Sequence, residues 1–231
     1  MEDKLNVDSN LYKLRHSLAH ILAQAVMEMR PGAKLGFGPP IDDGFYYDFI
    51  LPEALSEEDF KEIEKRMKNI IKSKQVFERE DLDFTAAMKR LDDMGEPYKK
   101  EYAEDLFSKH HLEKLSFYKN GPFLDMCEGP HVDNTKDIPH NCFKIKSIAG
   151  AYWRGDSNNT MMTRLYVWAF ETREELQAHV RAYEEAIKRD HKKLGKELEL
   201  FTIDDEVGKG LPLWLPNGTI IKDEIEKLMK E

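Results

Sequence analysis

Cysteine is scarce. Cys127 and Cys142 are the only two in 231 residues, which excludes a disulfide-built scaffold and makes a reducing cytoplasm the default location. No apolar run approaches the ~20 residues of a membrane span, so no membrane role is expected. The start, Met1-Glu2-Asp3-Lys4, is polar and acidic, unlike a secretory signal. Tandem repeats and low-complexity stretches are missing as well. Nor is there a basic excess: 35 Lys and Arg against 44 Asp and Glu leave a formal charge of −9. That argues against a general nucleic-acid coat but leaves room for a local basic groove. What is present is a globular mixture, 41% hydrophobic and 34% charged. Its length suits one large domain, or one domain with an appendage.

Hydrophobic spacing predicts a first helix over 9–30, with Leu11, Leu14, Leu18, Leu22 and Ala25 on one stripe and Pro31-Gly32 as the stop. Its other side carries Tyr12, His16, Ala19, His20, Ala23 and Met27, so the helix is expected to be buried on two sides. Two short runs, 34–37 and 45–50, read as a hairpin with a long loop. Ser56-Glu57-Glu58-Asp59 resembles a capping box opening a helix with Phe60, Ile63, Met67, Ile70 and Ile71 on its apolar face. A shorter helix is expected over 84–94, capped by Gly95. From residue 96 the character reads as β. Strands are expected at 115–118 and 123–127 around Asn120-Gly121, then at 142–148 and 162–170. A long helix over 172–194 should end at Gly195, followed by a Gly/Pro-rich stretch over 207–218 and a helix over 220–230.

Two spaced pairs carry chemistry. In His16-Ser17-Leu18-Ala19-His20 the imidazoles stand at i and i+4, on one helix face. Cys127-Glu128-Gly129-Pro130-His131 has the same spacing but cannot be helical, because Pro130 removes a donor and restricts Gly129. A helix and a turn could therefore converge on one point. With eight histidines in the chain, a chance pair is the plain alternative. Histidine and thiolate suggest zinc, yet four protein ligands close a tetrahedral site, whereas a hydrolytic site needs an open position. Either one of the four is not a ligand, or the group works without metal, a neutral His acting as general base on water. Asp125, two residues before Cys127, would share its strand face and could orient a His or bind a substrate ammonium.

The run 149–159, Ala-Gly-Ala-Tyr-Trp-Arg-Gly-Asp-Ser-Asn-Asn, has two readings. One is a tight loop between strands. The other is a nucleic-acid contact, with Tyr152 and Trp153 offering stacking faces and Arg154 a phosphate partner. The cations around Lys188, Lys192 and Lys193 fit a solvated helix end, where positive charge suits the dipole.

These segments, together with Gly38-Pro39, Gly44-Phe45-Tyr46-Tyr47-Asp48, Gly95-Glu96-Pro97-Tyr98-Lys99 and the run 188–196, resemble the editing domain of threonyl-tRNA synthetases over nearly the whole chain. Alanyl-type editing proteins share the two spaced pairs, but the 149–159 run looks like the threonyl family. The resemblance implies an α+β fold, an antiparallel sheet wrapped around a central helix that bears His16 and His20. It implies hydrolysis of seryl-tRNA carrying a threonine anticodon, with the seryl-adenosine 3′ end as the reacting part. One methyl separates the two amino acids by only ~1–3 kcal/mol, so a second sieve is needed.

Carried over by position, the resemblance implies a site of His16, His20, Lys99, Asp125, Cys127 and His131, with Tyr47 in the pocket wall and Tyr152, Trp153 and Arg154 as further substrate contacts. His16 and Lys99 would activate and hold the water. Asp125 and His20 would orient the seryl group, and Cys127 and His131 would complete the pocket. No cofactor is implied; were zinc present, as in the alanyl relatives, its ligands would be His16, His20, Cys127 and His131. The implied organisation is an editing domain over 1–170, a linker helix over 171–196 and the opening of a class II catalytic domain over 197–231. The ubiquitin-like domain, the ATP-binding motifs and the anticodon module would be absent, so no aminoacylation is expected. The apolar residues within 197–231 make self-association an expected outlet. A non-catalytic module for the tRNA acceptor end or a synthetase, and a zinc-stabilised structural domain, are the competing readings. The complete six-residue set favours the enzyme.

Overall fold

A computed structural model describes residues 6–110 and 112–230; the polar start at 1–4 lies outside them. The elements run α1 (Asn10–Met29), β1 (Lys34–Leu35), β2 (Pro40–Ile41), β3 (Gly44–Ile50), α2 (Phe60–Lys72), β4 (Phe77–Leu82), α3 (Phe84–Met94) and α4 (Pro97–His110). They continue with β5 (Leu115–Asn120), β6 (Phe123–Met126), β7 (Phe143–Tyr152), β8 (Met161–Ala169) and α5 (Arg173–Lys188). Last come α6 (His191–Glu197), β9 (Phe201–Ile203), β10 (Pro212–Trp214) and α7 (Pro216–Lys230). The chain forms two compact units, Met1–Leu176 and Gln177–Glu231. Among the described residues no helix is long and apolar enough to cross a membrane.

The first unit is α+β with antiparallel sheets. One sheet has the order β1-β3-β8-β7, with β2 also on β3; another has β4-β5-β6. Helix α1 starts where Ser9 accepts a hydrogen bond from Tyr12 N, satisfying one free donor of the first turn. It is buried continuously from Leu14 to Val26. Leu18, Leu22 and Val26 lie in the main core with Phe45, Phe49, Leu165 and Val167 of the first sheet and Ile63 and Met67 of α2. Truncating Leu18 to Ala would cost about 2–5 kcal/mol. Arg15 is also buried there and donates to the carbonyls of Ala169 and Ile41, which fixes α1 to the sheet edge. A second, smaller core lies between α3, α4 and β5–β6, around Leu91, Ala103, Phe117 and Met126.

The capping box at Ser56 and Asp59 forms as expected, and Gly95 ends α3 in the left-handed region at φ 67°. The hairpin at Asn120-Gly121 also forms, with Gly121 at φ 56°. Four expectations need correction. Residues 97–110 are helical, not β: Pro97 opens the helix, where its missing N–H costs nothing, and Tyr98, Tyr102, Ala103, Leu106 and Phe107 follow a helical spacing. Strand β4 was not anticipated, because Glu78 to Asp81 are all charged and exposed, with only the β5 edge to pair with. The 172–194 helix is two helices; Asp190 breaks it and caps α6 by accepting from the amides of Lys192 and Lys193. Gly195 therefore sits inside α6, where Phe201 occupies the space a Cβ would need. In the second unit the stretch after α6 holds the β9–β10 hairpin, and α7 begins earlier than expected, at Pro216.

Candidate active site

Helix α1 aims His16 and His20 at one edge of the first sheet, where a cavity of about 680 Å³ opens. His16, His20, Tyr47, Lys99, Asp125 and Cys127 line it. They come from α1, β3, α4, β6 and the turn after β6. His131 lies directly behind, its ring centroid 4.2 Å from His16 and 4.3 Å from His20. Its ring is stacked on Phe77 at 4.7 Å.

The turn that carries Cys127 and His131 is tied down at several points. Cys127 N donates to Ser116 O, and Ser116 Oγ donates to Cys127 O. Gly129 takes φ 72°, and the Tyr118 ring occupies the space where a Cβ would stand. Ser17, between the two histidines of α1, accepts from Val132 N at 2.9 Å and meets His131 Nδ1 at 3.2 Å. The opposite nitrogen, Nε2, is 3.2 Å from Cys127 Sγ. Ser17 thus holds both the backbone and the ring of the turn.

The opposite wall is charged. Lys99 Nζ lies 2.8 Å from Asp125 Oδ1 and donates to Met126 O at 3.1 Å, with both side chains at most 3% exposed. Tyr47 donates its hydroxyl to Asp125 Oδ2 at 2.5 Å. His20 Nε2 stands 3.7 Å from the same oxygen, beyond hydrogen-bonding reach. Lys99 also lies 5.6 Å from the Phe37 ring and 5.8 Å from the Tyr47 ring. Just before α4, Glu96 is buried and accepts from Leu35 N at 2.8 Å, fastening the start of the helix to β1.

Burial sets the charges of the first wall. It pushes His16 down to about 4 against the pull of Asp125, with Lys99 pushing the same way as burial. His20 and His131 are also held well below the usual imidazole value by burial and by the neighbouring imidazoles. Burial and the Asp125 charge push the Cys127 thiol up, so near neutral pH it is not a thiolate nucleophile. Tyr47 is raised by burial and by Asp125. Burial raises Glu96 to about 7, opposed by the Leu35 amide.

The donor atoms of His16, His20, Cys127 and His131 all lie within 4.8 Å of one another. Three imidazoles and a thiol are donors zinc accepts, and their spread is somewhat wider than the roughly 3.5 Å between ligands that tetrahedral zinc bond lengths imply. The four residues therefore fit zinc in kind, and small side-chain movements would bring them to its spacing.

The other expected substrate contacts lie elsewhere. Tyr152, Trp153 and Arg154 do not line the cavity. Tyr152 ends β7, so the 149–159 run is half strand and half turn. Trp153 is buried, stacked on Phe37 at 4.8 Å, and donates to Glu101. Its faces are taken by protein and not open to a base. Arg154, at φ 56°, pairs with Asp105 at 2.6 Å and Glu101 at 3.4 Å. The run reaches the site indirectly, through Trp153 stacked on Phe37, which itself lines the cavity. Glu96, Ser17 and Asn120 were not singled out from the sequence as site residues. Glu96 and Ser17 sit inside quoted motifs, and a polar residue between two histidines on a buried helix face was the available signal.

Three buried histidines and half-buried Cys127 thus stand beside a buried Lys–Asp pair, and the sequence that carries them has relatives. Residues 115–166 match the family described as the threonyl and alanyl tRNA synthetase second additional domain. Over nearly all of its length the chain is also similar to threonine–tRNA ligases. It is 45% identical over 221 residues to that of Gloeobacter violaceus, covering 96% of this chain and 35% of the relative. It is 48% identical over 223 residues to that of Dehalococcoides mccartyi, covering 96% and 37%. For Borreliella afzelii the figures are 44% over 232 residues, 100% and 39%. These similarities bear out the resemblance to the threonyl-tRNA synthetase editing region. The chain spans little more than a third of the length of these relatives.

Proposed function

We propose that this cavity hydrolyses the ester of mischarged seryl-tRNA of threonine specificity. The observation that carries the reading is the convergence of six residues from separate motifs: five line one cavity and His131 backs it. A pure binding module has no need of a buried imidazole cluster beside a buried ion pair. The similarity to threonine–tRNA ligases supports tRNA as the partner.

In this reading water attacks the seryl carbonyl carbon. The bond to the ribose oxygen breaks, that oxygen takes up a proton, and serine leaves the tRNA. His16 is neutral at pH 7, so its lone pair is free to accept the water proton, although a pKa of about 4 makes it a weak base. The Lys99 ammonium holds the water and faces the charge that develops on the carbonyl oxygen. Asp125 Oδ2 and His20 Nε2 are two acceptors for the seryl ammonium. Cys127 and His131 close the pocket behind them. Arg79, paired with Asp81, and Lys114 line the same cavity and supply cations for the phosphates of the 3′ end. The reading requires a pocket that admits serine and turns away the extra methyl of threonine, because binding alone separates the two only weakly.

The four-donor cluster favours a second reading, the alanyl-type zinc site. His16, His20, Cys127 and His131 would hold the ion, which would brace the turn or, with one ligand released, lower the pKa of a bound water. Purified chain incubated with seryl- and threonyl-tRNA decides the first point. Ester loss from the seryl form alone is expected, and equal rates on both would sink the double-sieve reading. Elemental analysis decides the second. Zinc equimolar with the chain and lost in Cys127→Ala would select the zinc site.

A further inference from the structure

His20 is sealed inside the protein, and neither of its ring nitrogens meets a hydrogen-bond partner among the described residues. A buried polar nitrogen left so costs ~1–3 kcal/mol, which makes its nearest acceptor informative. Its Nε2 faces Asp125 at 3.7 Å, so Nδ1 is the nitrogen turned away from the cavity.

One turn further along α1, buried Gln24 donates its Nε2 to Glu28 Oε1 at 3.0 Å. A carboxylate accepts only, so this bond decides which way round the Gln24 amide stands. Its Oε1 then accepts from Asn120 Nδ2 at 3.0 Å, and the same nitrogen donates to Gln75 Oε1 at 3.0 Å. Turning the Asn120 amide over would set its oxygen against the Gln24 oxygen, which Glu28 holds in place. Its orientation is therefore fixed by chemistry, and Oδ1 must point away from both glutamines. Asn120 is fully buried, and that oxygen has no partner among the described residues. The residue paired with Asn120 across the hairpin is Phe123, whose ring lies 5.6 Å from His20. An orphaned acceptor and an orphaned imidazole nitrogen thus share one buried space. Asn120 also stands close enough to His20 to favour its protonated ring.

We infer that Asn120 is a positioning residue: its Oδ1 takes the Nδ1–H of His20, so that the series Glu28, Gln24, Asn120 fixes His20 with its Nε2 lone pair facing the cavity. An Nε2–H would instead point at Asp125 and close the space between them. With the lone pair there, Nε2 and Asp125 Oδ2 form a two-acceptor seat for an alkylammonium or a hydroxyl. Only that consequence rests on the deacylase reading; the tautomer itself does not.

The test is nitrogen NMR on the full chain with 15N-labelled histidine, His20 being assigned by its absence from His20→Gln. The unaltered chain should show a protonated Nδ1 and an unprotonated Nε2. Asn120→Ala, and Gln24→Leu one step further out, should turn this into a mixture while His16 and His131 keep their signals. Deacylation of seryl-tRNA should fall about tenfold in kcat/KM, chiefly through KM. An Nε2–H ring in the unaltered chain overturns the inference without the need for any variant. So does an unchanged tautomer in Asn120→Ala. A chain that shows the expected tautomer but no deacylation supports the inference and removes the proposed function.

Discussion

On one wall of the cavity, carried by α1 and the turn after β6, buried His16, His20 and His131 and half-buried Cys127 stand without charge. On the other, carried by β3, α4 and β6, Lys99 and Asp125 are buried as an ion pair with Tyr47 on the second carboxylate oxygen. Both walls solve one problem, the cost of taking ionisable groups out of water. The first solves it by depressing imidazole pKa values and raising that of the thiol, so that nothing there is ionised near pH 7. The second keeps its charges and satisfies each of them with a partner. The difference teaches where each wall is fragile. Removing a group from the neutral wall leaves a gap, whereas removing one from the charged wall strands an ion.

The largest effect is therefore expected at Lys99. Lys99→Met leaves Asp125 buried beside only the Tyr47 hydroxyl and should lower unfolding stability by about 3–5 kcal/mol at pH 7, read by urea denaturation, with deacylation lost. A loss below about 1 kcal/mol would show that the pair is not desolvated as drawn, because that is the range of an exposed pair.

Next comes Glu96, which fastens the start of α4, a carrier of the charged wall, yet follows the logic of the neutral one. Burial raises it to about 7, with Asp125 adding to the rise and Lys34 and Lys99 opposing it. Its folded pKa lies above the unfolded value, so protonated Glu96 adds stability at low pH, and that contribution is lost as pH rises through about 7. Glu96→Gln keeps an acceptor for the Leu35 amide and removes the titration. The stability of the parent relative to Glu96→Gln should fall by about 3 kcal/mol between pH 4 and pH 8. A difference that does not move with pH would mean that Glu96 titrates as an exposed carboxylate.

How much of this was legible in the sequence differs between the walls. The neutral wall is local: each half is an i, i+4 pair, and α1 and the Asn120-Gly121 hairpin have plain signatures, so both pairs could be placed on their elements from spacing. The charged wall is assembled from afar. Lys99 sits on α4, a segment read as β because its apolar residues are mainly aromatic and interspersed with charge. Its partner stands 26 positions away on β6. Glu96 and Asn120 lie in recognisable segments but gave no signal of a site role, since a lone acid or amide gains its meaning only when burial removes its water. Trp153 misled for the opposite reason: an aromatic in a Gly-rich run looks available until tertiary packing covers it.

Cys127→Ala tests the neutral wall directly. It removes a thiol and leaves His131 Nε2 without that neighbour, but it strands no charge. The loss of stability should be about 1 kcal/mol, well short of that in Lys99→Met. An equal loss in the two variants would mean that Cys127 and His131 are a thiolate and an imidazolium, and the contrast between the walls would disappear.

The smallest effect on the site is expected from removing residues 197–231. Every residue lining the cavity lies between Tyr12 and Gly129, so seryl-tRNA deacylation should be unchanged. Self-association is where the deletion should tell. On α7, Ile221, Ile225 and Leu228 follow helical spacing, and together with Ile220 and Met229 they are 47–81% exposed. An apolar stripe of that kind finds another surface in water, and a second copy of the chain is the one always at hand. Sedimentation should show the full chain associating and the shortened one monomeric. If the shortened chain stays folded but loses deacylation, then the segment belongs to the site, and neither wall is complete without it.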